Sequence, residues 1–171
     1  TYVDALYNIL EEIYSGDVTR YHSRIKSERR KKQLLFDFLQ GKKKIMIATS
    51  AFSMGIDVPD IELVIHFNAP ISMTDYIQQI GRAGRDGRKA HCVLFYDQNG
   101  DDEAISASFI KKAKKQSPKA AKTIKSNLNQ VHNFIHSDSC MVCDILEHQG
   151  QHETKTCKRC TVCAQKRRNG K

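Results

Sequence analysis

Two arginines stand three residues apart within "QQIGRAGRDG", Gln78 to Gly87, where glycines occupy positions 81, 84 and 87. A guanidinium is always charged, and its planar fork fits phosphate oxygens two at a time. Framed by glycine, Arg82 and Arg85 are expected on a bare turn that bulky neighbours do not crowd. From there they would reach a phosphoryl group held by another surface and stabilise its transition-state charge. The same short pattern also suits ordinary surface ion pairs, and the motif by itself leaves both readings open.

A second set of chemically able residues lies at the other end of the chain. Cys140, Cys143, Cys157, Cys160 and Cys163 crowd the C-terminal region, while Cys92 sits apart in the apolar run "HCVLFY" and is expected to fill core. An odd number of cysteines with C-x-x-C spacing and no secretion signal points to zinc rather than disulfides. On spacing alone, Cys140 and Cys143 pair with Cys160 and Cys163 as a four-thiolate site. Four thiolates leave no open position, so such an ion would be structural.

Charge narrows the partner. The 171 residues carry 28 Lys+Arg against 19 Asp+Glu, a net charge of +9. The excess is concentrated in Lys111, Lys112, Lys114, Lys115, Lys119, Lys122 and Lys125, and again in Lys166, Arg167, Arg168 and Lys171. Blocks of this kind suit phosphate backbones, with Lys111 and Lys115 as candidate contacts, although a merely solvated basic surface is the bland alternative. No apolar run approaches the roughly 20 residues a bilayer requires, and no signal-peptide pattern opens the chain. No membrane partner is expected. The expected location is intracellular, nuclear in a eukaryote and cytoplasmic otherwise.

These residues need a scaffold, and the hydrophobic periods supply one. Tyr2, Leu6, Leu10 and Ile13 recur at helical spacing, predicting a helix over residues 3 to 14. "DVTRYH" reads as a short strand, and a helix follows from about Ser27 to a stop at Gly41. "KIMIAT" and "LVIHF" read as buried strands. Ser72 can cap a third helix that runs toward Ile80 and delivers the arginine turn, with Asp75 in the capping-box place. "HCVLFY" is a fourth strand, and "DQNGDDE" a turn into an acidic helix start. Strands alternating with helices imply a parallel sheet covered on both faces, with ligands beyond its carboxyl edge. Both "SAFSMGIDVP" and "GRAGRDG" are expected near that edge. From about Ala104 only helical patterns remain, and Ile124, Leu128, Val131 and Ile135 are expected to pack around the cysteines.

"ATSAFSMGIDVPDIELVIHFNAP" followed by "QQIGRAGRDG" resembles motifs V and VI of superfamily-two helicases, in a form close to that of RecQ-type DNA helicases; "YHSRI" resembles part of motif IV. The resemblance implies an α/β fold, a RecA-like parallel sheet flanked by helices over residues 1–103, lacking its first strand, and a small helical zinc-binding subdomain over 104–171. It implies that Arg82 and Arg85 face the ATP γ-phosphate, with Arg85 the finger, and that Gln78 couples nucleotide contacts to strand contacts. Gly55 and Asp57 match positions near the nucleotide; Asp57 could equally fix the turn before Pro59. Thr49 and Ser50 match positions near the nucleic-acid backbone, and Thr49 could equally cap a strand end. The family spacing selects Cys140, Cys157, Cys160 and Cys163 as zinc ligands, leaving Cys143 outside. His22 and His66 are given no catalytic role.

No G-x-x-x-x-G-K-[S/T] loop and no acidic box for Mg²⁺ occurs in the sequence. By resemblance, ATP and Mg²⁺ would be shared with a preceding RecA-like domain, and the fragment alone would be inactive. The implied function is an ATP-dependent DNA helicase, a hydrolase acting on single strands and duplex junctions in repair, recombination or replication. An RNA helicase of the D-E-A-D-box kind, or a non-catalytic zinc module that binds nucleic acid, are the alternatives.

Overall fold

The computed structural model describes residues 2–53, 61–97 and 99–170. The chain forms two compact units, Thr1–Pro59 and Asp60–Lys171.

In the first unit the order is α1 (Tyr2–Ile13), β1 (Val18–Tyr21), α2 (Glu28–Leu39), β2 (Ile45–Ala48) and a 3₁₀ turn at Ser50–Ser53. β1 and β2 pair in parallel, Val18 opposite Ile45 and Tyr21 opposite Ala48. Val3, Val18 and Ile47 form the buried core, covered by Leu6, Tyr7, Leu10 and Ile45. The helical spacing of α1 therefore serves one purpose, to lay an apolar stripe on the strand pair. Ser27 caps α2 by accepting from the Arg30 amide at 3.2 Å.

The second unit begins with β3 (Leu63–His66), α3 (Met73–Ile80) and β4 (His91–Leu94), then α4 (Asp101–Gln116), α5 (Pro118–Ile135), α6 (Met141–His148) and α7 (Thr161–Arg168). β3 and β4 are parallel, Leu63 opposite His91 and His66 opposite Leu94. Ser72 caps α3 as expected, accepting from the Asp75 amide at 3.1 Å while its hydroxyl donates to the Asp75 carboxylate at 2.8 Å. α3 then packs on α5: Met73, Tyr76, Val131 and Phe134 are buried together, with Leu94, Ile135, Met141 and Ile145 against them.

Three expectations change here. Val131 and Ile135 pack on α3 as well as on α6 beside the cysteines, so helices from both sides of residue 103 share one core. β3 is not buried on both faces: His66 lies inside, whereas Leu63, Ile65 and Phe67 are exposed, as are Val93 and Phe95 on the same face of β4. Strand alternation sends these odd-numbered side chains away from α3. Cys92 is exposed rather than core filling, its thiol directed at the Ile80 carbonyl at 3.9 Å.

Candidate nucleotide-facing turn and metal centre

Helix α3 ends at Gly81, whose amide donates to the Ile77 carbonyl at 2.9 Å. The chain then turns back to the start of β3. Ala83 bridges to Ile61, and the Gly84 amide donates to the Ile61 carbonyl at 3.0 Å. This puts the arginine turn at the amino end of β3, not at the carboxyl edge expected from the fold class, because α3 runs back along the strand it follows. Glycine is required for backbone reasons rather than for bareness. Gly84 has φ +67°, and a Cβ there would lie 2.8 Å from the Arg88 carbonyl oxygen.

On this turn Arg82 is half-buried and Arg85 exposed, with Arg85 Nε donating to the Gly81 carbonyl at 3.2 Å. Gln78 is exposed in the last turn of α3. Arg88 engages the nearby carboxylates, reaching Asp86 at 2.6 Å and Glu62 at 3.2 Å. The Arg88 side chain and amide hold the Asp86 carboxyl below its ordinary value. Gln79, which the sequence reading passed over, meets buried His66 at 2.7 Å. Burial lowers the His66 pKa and the Gln79 bond raises it only in part, so the buried ring favours its neutral form.

Thr49 and Ser50 are exposed at the carboxyl end of β2, where the Thr49 amide donates to Tyr21 at 3.2 Å and Phe52 packs edge-on to Tyr21 and Phe38. Gly55 and Asp57 lie outside the described residues. His22 is buried with Nε2 3.2 Å from the Asp4 carboxylate, which also receives Arg20 Nε at 3.2 Å. The His22 contact is a fold contact within one unit.

The cysteines resolve into one set. The sulfurs of Cys140, Cys157, Cys160 and Cys163 all lie within 4.8 Å of one another and could hold a metal ion. Cys143 is outside it, its thiol directed at the Lys155 carbonyl at 3.6 Å. Backbone amides furnish the sulfur environment: Cys157 N–H donates to Cys140 Sγ at 3.3 Å, and Cys160 and Arg159 amides donate to Cys157 Sγ at 3.2 and 3.4 Å. Lys158 adopts φ 60° between Cys157 and Cys160, which closes the tight C-x-x-C turn. Burial opposes ionisation of Cys140, yet the Cys157 and Cys143 amides bring its thiol down to about 6. Cys143, by contrast, is pushed up to about 11 by desolvation and by the neighbouring Cys140 sulfur. Inside the set the directions split: backbone amides also bring the Cys160 thiol down against burial, whereas burial and the neighbouring Cys160 sulfur push Cys163 up to about 12.

Lys111 and Lys115 are exposed one turn apart on α4. Among the described residues no ion pair engages the seven lysines of α4 and α5, and no Asp or Glu occurs from Ala104 through Ser137. An aromatic group that the sequence reading also missed, Tyr96, His132 and His136, assembles beside the C-terminal half of α5. Its only sequence signal was a pair of histidines four apart.

Residues 1–87 match the family described as the helicase conserved C-terminal domain. A putative ATP-dependent RNA helicase of Acanthamoeba polyphaga mimivirus is 36% identical over 143 residues, 84% of this chain and 25% of that protein. The ATP-dependent DNA helicase RecQ of Bacillus subtilis is 34% identical over 148 residues, 86% of this chain and 24% of that protein. The chain thus spans about a quarter of the length of these curated relatives. Among solved structures, the yeast DEAD-box splicing factor Prp28 superposes with a TM-score of 0.52 at 29% identity, over 75% of this chain and 29% of that one.

Proposed function

Since the chain belongs to the helicase conserved C-terminal domain family, we propose that it is the second motor lobe of a RecQ-type, ATP-dependent DNA helicase, with a zinc-holding helical tail. The observation that carries this reading is the Gly84-shaped turn, which presents exposed Arg85 beside half-buried Arg82 in the same compact unit as the four-cysteine set.

A nucleoside triphosphate with Mg²⁺, bound by a preceding lobe, supplies the phosphoryl group. Arg85 reaches across to its developing negative charge, and Arg82 reinforces the field from the more buried side of the turn. Gln78, next to both on the last turn of α3, reports nucleotide state to the strand-binding side. Thr49 and Ser50 contact the nucleic-acid backbone, Gly55 and Asp57 the nucleotide, and Lys111 and Lys115 phosphates.

Zinc is the metal that fits the cysteine set. Thiolates bind it at about 2.3 Å in a closed tetrahedron, and the N–H donors to Cys140 and Cys157 offset sulfur charge. No catalytic step passes through it. Its place is to join α6 to α7.

DNA and RNA substrates are separated by experiment. In the protein that carries both motor lobes, tailed DNA duplexes are expected to be separated with ATP while tailed RNA duplexes are not. Preference for RNA would favour the D-E-A-D-box reading, to which the mimivirus relative and Prp28 lend support. Arg85→Ala should lower ATP turnover by roughly 10³-fold or more. Near-normal hydrolysis in that variant would remove the finger assignment.

A further inference from the structure

Along α5 the exposed residues Lys122, Lys125, Asn129 and His132 recur at intervals of three and four, and His136 continues the series at the cap. At 3.6 residues per turn they fall within an arc of about 80° and run about 21 Å along the axis. The face is chemically graded. Two ammonium groups lie at its amino end, an amide in its middle and two imidazoles at its carboxyl end.

The imidazoles are arranged rather than scattered. The His132 and His136 rings stack with centroids 4.2 Å apart and planes inclined by 21°. His136 Nδ1 donates to the His132 carbonyl at 2.9 Å, which fixes the ring against the helix. Tyr96 stands edge-on to both, at 6.3 and 5.6 Å, and props the stack from the β4 side. α5 itself carries no Asp or Glu, and the carboxylates that act on this end of the face, Asp102 and Glu103 of α4, lie near Tyr96.

We propose that this face of α5 is a track for one unpaired nucleic-acid strand. Lys122 and Lys125 take phosphates, and the His132–His136 stack takes the face of a base. A fixed aromatic plane at the end of a cationic stripe is what an unstacked strand can use, since a duplex hides its base faces. This proposal deepens the motor reading above and rests on it.

The test uses the 171-residue chain loaded with zinc and two 15-mers of the same phosphate backbone, oligothymidine and its abasic counterpart. Fluorescence anisotropy is expected to show oligothymidine bound about tenfold more tightly, the scale of one stacked base. His132→Ala with His136→Ala should bring the two affinities together, and His132→Phe with His136→Phe should restore the gap. Lys122→Gln with Lys125→Gln should weaken both ligands alike and lower the salt slope by about 1.4, two single-strand phosphates' worth. Should the alanine pair lose metal or helical circular dichroism, asparagine at both positions reads the same ratio. Equal affinity of the unaltered chain for the two ligands, or a gap that survives loss of both imidazoles, overturns the proposal and leaves the motor reading standing. Tighter binding of duplex, equally weakened by the lysine variants, makes α5 a duplex track and overturns it too. Binding to no nucleic acid at all removes both readings.

Discussion

Arg82 and Arg85 owe their presentation to backbone constraint at one neighbour. Gly84 accepts φ +67° and the approach of the Arg88 carbonyl, both barred to a side chain, so the turn is built from glycine conformation before any charge is considered. The same turn sits one hydrogen bond from a titrating group. Burial lowers the pKa of His66 and favours its neutral form, whose Nε2–H donates to Gln79 Oε1 at 2.7 Å. Unfolding returns the ring to its ordinary value of 6.5, so below that pH the unfolded chain binds a proton that the folded chain resists. Stability contributed by neutral His66 is therefore complete above pH 6.5 and is lost as the pH falls toward the lowered folded value. Thermal midpoints measured from about pH 8 to about pH 5 should fall in that window, and His66→Gln should flatten this part of the profile. An unchanged profile in the variant would assign the slope to other groups.

Elements are joined in the second unit by one carboxylate. Asp102, 3% exposed in the first turn of α4, accepts from the Ala69 amide at 2.7 Å and the Asp97 amide at 2.8 Å. It thereby fastens the helix start to the loops leaving β3 and β4. Asp102→Ala would leave two part-buried amides without this acceptor, at a cost of roughly 1–3 kcal/mol. Asp102→Asn should fall between the two, because one of its positions becomes an N–H facing an N–H. Urea unfolding would measure both, and a midpoint unchanged in Asp102→Ala would show the loops held by other contacts. At the next joint Ser117 ends α4 and caps α5, accepting from the Ala120 amide at 3.0 Å with Pro118 in the first turn.

At the scale of the whole molecule, the four cysteines that could hold a metal come from three separate positions: the start of α6, the C-x-x-C turn, and α7. Cys140 and Cys160 each stand at a helix start, so drawing their sulfurs together fixes both helix origins. Cys157→Ser should abolish stoichiometric metal binding, whereas Cys143→Ser should retain it, since the Cys143 sulfur lies outside the four-sulfur set. Metal analysis after dialysis reads both. Chelation should melt α6 and α7, because binding free energy in so small a site is largely folding free energy. Helical circular dichroism that persists without metal would show the hydrophobic contacts of Met141 and Ile145 to be enough.

The sequence by itself determined the elements and the local chemistry. The periods of Leu6 and Leu10, the caps at Ser27 and Ser72 and the glycine frame depend on neighbours a few residues away, which are printed in order along the chain. The four cysteines whose sulfurs come together were named through the resemblance, whereas spacing alone put Cys143 in the place of Cys157. Only the tertiary structure decided which faces are covered. That α5 packs on α3, that Cys92 is exposed, that the arginine turn lies at the amino end of β3 and that Tyr96 meets His132 and His136 are all pairings of distant segments. Such pairings are set by how whole helices and strands fill space together, and no local pattern of residues records them.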